Sequence, residues 1–292
     1  MEYHNFWSGF VHPNTHTAFF EYVFQDILKT KKVRLYSIFG GQDPIIRGTD
    51  ILNICFSGEP VASNNAHEFD LSIVMRHDTP KRVLYPLFAV VSYACDYWRD
   101  YTLPRCDPLF NTKFCSFVVS NENSIPRRKF FRLLCQYKKV DSMGYCDNNT
   151  GIRAPPIPNV NGGDIRHPAY LDSIRGYKFM ICFENAQHPY YLTEKLLNAW
   201  LCGAVPIYWG SSKALEWLNP DSFLYLPDDS DESMIALVNR IISIDQNPSE
   251  YAKIHAQPLL RSAAIPADLD KNTLRDSLNA RLLELDQSPG SK

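Results

Sequence analysis

The sequence predicts an α/β protein built in two halves. Short apolar runs alternate with helical patterns, the arrangement expected when helices cover mostly parallel sheets. The length of 292 residues suits about two domains, at roughly 100–200 residues each. Residues 102–113 (TLPRCDPLFNTK) carry two prolines and no clean period, and they separate a pair of strand-rich regions near residue 108.

Taken in order, residues 17–28 have helical apolar spacing and should cover the first strand, residues 32–39 (KVRLYSIF). Residues 51–56 (ILNICF) and 70–75 (DLSIVM) read as further strands of the first half. In the second half, residues 114–120 (FCSFVVS), 177–183 (YKFMICF) and 204–209 (AVPIYW) read as strands. Residues 155–163 (PPIPNVNGG) read as a loop, residues 268–285 as a terminal helix, and residues 286–292 as a disordered tail. The division expected is 1–108, 109–270, and a C-terminal helix and tail over 271–292.

Composition narrows the class of function. Hydrophobic residues are 45% and aromatics 13%, enough for buried cores, so a disordered chain is excluded. The net charge of −2 argues against a general nucleic-acid binder, and any anionic ligand must be met by a few local cations. The first ten residues lack a basic region followed by an apolar one, so no signal peptide is visible. The most apolar stretch, residues 83–95, is too short for a membrane span of about 20 residues. A soluble or cytoplasmic protein fits, and a Golgi-type chain trimmed of its anchor fits equally. The eight cysteines show no C-x-x-C spacing and are expected to be mostly free, buried thiols. One N-x-T sequon, at Asn148, has meaning only if the chain is secreted.

The chemistry concentrates in residues 177–211, YKFMICFENAQHPYYLTEKLLNAWLCGAVPIYWGS. Local physics reads strand, loop, helix, strand. Thr193 is placed to cap the helix through its hydroxyl. Leu196, Leu197, Trp200 and Leu201 form one apolar face, and Gly203 suits the left-handed position past the helix end. In such units ligands bind outside the carboxyl ends of strands, and helix N-termini attract phosphate. Lys195 lies in the first turn, where a cation opposes the helix dipole. It is either a surface lysine or the partner of an anion such as a diphosphate. Glu194 either caps the dipole or accepts hydroxyls of a sugar or ribose.

The run CFENAQHPYYLTEKLLNAW followed by GAVPIYWGSS resembles the signature of the family-10 glycosyltransferases, the α-1,3/1,4-fucosyltransferases. The matching residues include Phe183, Glu184, Asn185, Tyr191, Thr193, Glu194, Lys195, Asn198 and Ala199, while Ala186 replaces the usual Ser or Thr. Upstream, FVVSNENSIPRRKFF (residues 117–131) resembles a second family segment, in which Arg127, rather than Arg128, matches the arginine that contacts the donor diphosphate. In the first half, Cys55 to Pro60 (CFSGEP) resembles a strand-end element whose glutamate serves the family as general base.

That resemblance implies a GT-B-like fold, with two Rossmann-like domains facing across a cleft, the first for the acceptor and the second for the GDP-sugar. It implies inverting α-1,3-fucosyl transfer from GDP-fucose to a glycan containing GlcNAc or glucose. Glu59 would be the base, with Glu68 and Asp70 as rivals. Ser120, Asn121, Arg127, Asn185, Tyr191, Glu194 and Lys195 would bind the donor, with Glu194 also steadying positive charge on the sugar. The alternatives are transfer of another nucleotide sugar, or a non-catalytic GDP-sugar or glycan binder. No cofactor or metal is expected. The D-x-D at Asp229 to Asp231 reads as a helix start, with Ser and acids at the cap, rather than a metal site. His12 and His16, with Pro13 between them, read as loop residues.

Overall fold

In a computed structural model the described residues are 1–6, 15–38, 43–60, 68–76, 81–105, 111–152, 154 and 168–287. The first half carries β1 (Glu2–His4), α1 (Thr15–Val23), β2 (Lys32–Ser37), β3 (Ile51–Phe56), β4 (Leu71–Val74), β5 (Arg82–Leu84) and α2 (Leu87–Ala94). Its five strands pair in chain order, all parallel. The second half carries β6 (Lys113–Phe117), α3 (Ile125–Cys135), β7 (Val140–Ser142), α4 (Pro168–Ile174), β8 (Tyr177–Ile181), α5 (Glu194–Leu201) and β9 (Val205–Tyr208). It continues with α6 (Ala214–Trp217), β10 (Leu224–Tyr225), α7 (Asp231–Gln246), α8 (Pro248–His255) and α9 (Lys271–Gln287).

The second sheet runs β10-β9-β8-β6-β7, again all parallel. Chain order therefore reverses between β6 and β8, which makes their carboxyl ends a topological switch point. Strands β3 and β4 and strands β8 and β9 are buried along nearly all their length. Continuous apolar runs are what a sheet covered on both faces requires.

One apolar cluster joins the halves. It contains Phe88 and Val91 of α2 together with Leu192, Leu196, Leu197 and Trp200 around α5. The ring of Tyr101 meets Trp200 edge-on at 5.6 Å, and the Phe88 N–H donates to the Leu192 carbonyl at 2.9 Å. The C-terminal segment ties the halves again. Asp268 accepts from Lys213 and from the Trp217 indole, Tyr85 donates to the Leu269 carbonyl, and Tyr22 of α1 donates to Asn272 of α9.

Several elements differ from the sequence expectation. Helix α1 ends at Val23, and a 3-10 turn over Ile27–Lys29 replaces its expected last turn. Strands β6 and β8 stop at Phe117 and Ile181, although the N–H groups of Cys182 and Glu184 still donate to the Ile207 and Trp209 carbonyls, and Val118 to Asn121, Phe183 and Asn185 beyond them line the cavity described below. The edge strands β1, β5, β7 and β10 are only two or three residues long, too short for a periodic signal. Residues 83–95 form the end of β5 and the buried helix α2. A 3-10 turn at Ala267–Leu269 precedes α9, which continues to Gln287, into the stretch read as tail. His16 lies in the first turn of α1 rather than in a loop, whereas His12, residues 155–163 and the boundary at residue 108 lie outside the described residues.

The seven described cysteines are free thiols, six of them buried; Cys106 lies outside the described residues. The sequon amide of Asn148 is fully engaged in its own loop, with Gly144, Ile152 and Gly151. Ser230 caps α7, its hydroxyl accepting from the Ser233 N–H at 3.2 Å, so the D-x-D belongs to a helix start. Among the described residues no helix is long and apolar enough to cross a membrane.

Gly203 has φ +76°, the left-handed value expected just past α5. Gly203→Ala should destabilise the fold by about 1–2 kcal/mol, the strain of an L-residue in that region. The urea unfolding midpoint measures it, and an unchanged midpoint would contradict the strain.

Candidate active site

The switch point opens into a cavity of about 220 Å³. Val118 to Asn121, which follow β6, form one wall, and Met180, Ile181, Phe183 and Asn185, at the end of β8, contribute another. Glu194, Lys195 and Asn198 line it from α5, at i, i+1 and i+4, so the first and last stack on one face of the helix. Arg127 enters from α3 and Tyr170 from α4.

Arg127 is 1% exposed. Its Nε donates to the carbonyls of Phe183 at 2.9 Å and Glu184 at 3.0 Å, while its Nη2 is buried with no hydrogen-bond partner among the described residues. Burial lowers its pKa, an effect opposed by the charge of Glu184. A buried guanidinium with an unused donor on a cavity wall is prepared for an anion. Arg128, by contrast, pairs with Asp147 at 2.8 Å outside this cavity.

Lys195 meets three acceptors. Its Nζ lies 2.9 Å from Thr193 Oγ1, 3.2 Å from Glu184 Oε2 and 3.6 Å from Glu194 Oε1. Burial works against its charge, but Glu184 and Glu194 outweigh burial and hold its pKa above the ordinary lysine value. It is thus neither a free surface lysine nor in need of a ligand for charge balance. Thr193 corrects the capping expectation. Its hydroxyl caps no helix N–H; instead it donates to the Glu184 carboxylate, whose Oε1 also accepts the Thr193 N–H at 2.7 Å.

Glu59 follows β3 and is partly exposed. Its Oε2 accepts from Asn185 Nδ2 at 3.0 Å and from the Tyr191 hydroxyl at 2.9 Å, joining the first half to the second. Among the described residues nothing bonds to its Oε1. Gly58 before it does not adopt a left-handed conformation. Asp70, one rival, instead accepts the Asn53 N–H at 2.7 Å and so holds β3, while the carbonyl of Glu68, the other, accepts from Arg47. Tyr191 is fully buried and does not line the cavity; burial, and then the charges of Glu184 and Glu59, keep its hydroxyl protonated and donating. Ser120 and Asn121 are exposed lining residues, with Asn121 Oδ1 accepting the Asn123 N–H.

Sequence reasoning missed Tyr170 and Asn198 as lining residues, and it missed the role of the Glu184 side chain. Asn198 was detectable from its helical spacing to Glu194. Tyr170 had no local signal, because α4 reaches the site only through tertiary packing.

Two parallel α/β sheets joined by a carboxylate that spans them, with a cation-lined cavity at the switch point of the second, form the GT-B arrangement of two-domain glycosyltransferases. The C-terminal profile of glycosyltransferase family 10 (fucosyltransferase) matches residues 110–257. The chain belongs to that family. A protein of Acanthamoeba polyphaga mimivirus named as a fucosyltransferase is 30% identical over 243 residues, 80% of this chain and 37% of its own length. The alpha-(1,3)-fucosyltransferase FucT of Helicobacter pylori is 35% identical over 122 residues, 42% of this chain and 23% of its own. The chain thus spans less than two fifths of either relative. A crystal structure of an alpha1,3-fucosyltransferase with GDP-fucose superposes with a TM-score of 0.65 at 18% identity, covering 96% of this chain and 89% of the other.

Proposed function

We propose that the chain transfers L-fucose from GDP-fucose, with inversion, to O3 of a GlcNAc- or glucose-containing glycan. The observation that carries this reading is the Glu59 carboxylate, oriented by Asn185 and Tyr191 beside the cavity that holds Arg127 and Lys195. Family membership and the fold shared with a GDP-fucose-bound transferase support the donor.

The chemistry follows from those groups. The acceptor oxygen bonds to fucose C1 as the C1–O bond to GDP breaks, and the bonding pair leaves with the β-phosphate. Glu59 Oε1 takes the acceptor proton from the opposite face. Positive charge develops on the sugar, as in glycoside hydrolysis, and Glu194 faces it. Negative charge gathers on the departing diphosphate, where Arg127 supplies a fork and Lys195 a point charge. In this reading these two cations do the work a metal does in other nucleotide-sugar enzymes, and the D-x-D serves as a helix start whose middle residue, Ser230, caps α7. The first half would bind the acceptor and the second the donor.

The test is a transfer screen of GDP-fucose against GDP-mannose and UDP-sugars, with GlcNAc- and glucose-terminated acceptors, each with and without EDTA. Turnover of GDP-fucose alone, insensitive to EDTA, is expected. Turnover of another sugar nucleotide would move the function to a different donor, GDP binding without turnover would make the chain a binding protein, and loss of activity in EDTA would contradict metal independence.

A further inference from the structure

We infer that Glu184 is a positioning residue that places both cations of the cavity, Arg127 through its main-chain carbonyl and Lys195 through its carboxylate. As far as it concerns the ligand, the inference rests on the donor reading above. Glu184 is fully buried, and a buried carboxylate is costly unless it is paired and hydrogen-bonded. Here every polar atom has work. The Glu184 N–H donates to the Trp209 carbonyl at 2.8 Å, and its own carbonyl receives Arg127 Nε at 3.0 Å. Oε1 accepts the Thr193 N–H, both carboxylate oxygens lie within 2.9 Å of Thr193 Oγ1, and Oε2 lies 3.2 Å from Lys195 Nζ.

The side chain has little room to move. A Cβ added to Gly210 would lie 2.7 Å from Glu184 Cγ and 2.4 Å from the Tyr208 hydroxyl, so the turn after β9 closes directly over it. Glu184 is therefore wedged between the end of β8, the start of α5 and that turn. This placement also accounts for a lysine in the first turn of a helix. The carboxylate favours the positive end of α5 and neutralises the cation that this end would otherwise repel. The Lys195 ammonium is held at the helix start, on the cavity wall, by an anchor that does not itself line the cavity.

The test uses two readouts on the full chain. The first needs no ligand. In protein carrying 15N-labelled lysine, Glu184→Gln is expected to make the Lys195 ammonium titrate at clearly lower pH, while Lys213, paired with Asp268, titrates as before. An unchanged Lys195 titration overturns the inference. The second is calorimetric GDP binding in a double-mutant cycle. Lys195→Ala is expected to weaken GDP binding about tenfold in the wild-type background and less than about twofold in Glu184→Gln, because the lysine is no longer aimed. Equal losses in both backgrounds overturn it, since a merely structural glutamate would act additively. Thr193→Val removes the hydroxyl that links Glu184 to Lys195 and carries the same cycle should Glu184→Gln fail to fold. A wild-type protein without GDP affinity refutes the donor reading, and the lysine titration still decides the role of Glu184.

Discussion

Glu59→Gln is expected to slow fucosyl transfer by about a hundred- to ten-thousand-fold, the usual worth of a positioned general base, with GDP affinity within about twofold of wild type. The amide is nearly the shape of the carboxylate. Its oxygen can still accept from Asn185 and Tyr191, which bond to Glu59 Oε2 at 3.0 and 2.9 Å, so the seam between the halves should persist. What it cannot do is take a proton from the acceptor hydroxyl. Initial rates with GDP-fucose, together with GDP titration by calorimetry, separate the two effects. Transfer at the wild-type rate would remove Glu59 as base. Loss of GDP binding with the rate would instead mean that Glu59 serves mainly to hold Asn185 and Tyr191 in place.

Arg127→Met should weaken GDP binding by about ten- to a hundred-fold, the loss of a charge-assisted hydrogen bond of about 1.5–3 kcal/mol. Methionine fills much of the same volume, so the change is chiefly of charge and donors. Arg127→Lys keeps the charge but loses the fork, and it is expected to fall between Met and wild type. Arg127 also ties Phe183 and Glu184 to α3, so thermal melting should accompany the titrations. A variant that melts like wild type and binds GDP as tightly would show that the unused Nη2 is not meant for phosphate.

Much of the second half was legible residue by residue. The strand before Glu184, the apolar face of α5, the left-handed Gly203 and the Ser230 cap are local matters. Each depends on periodicity or on the conformational preference of one residue, and the structure has each of them. Local physics failed at Thr193, where a nearby buried carboxylate competes for the hydroxyl that would otherwise cap the helix. It failed too at the short edge strands, which form because a neighbouring strand presents unpaired N–H and C=O groups.

The sequence by itself thus determined the α/β class, the strand-loop-helix unit that carries the chemistry, its candidate cations, and the carboxylate to watch in the first half. Only the tertiary structure decided how these meet. Glu59 and Asn185 stand 126 residues apart in the chain and 3.0 Å apart in space. That contact exists because apolar burial between α2 and α5 joins the two halves. It is a long-range demand, and no window of sequence contains it.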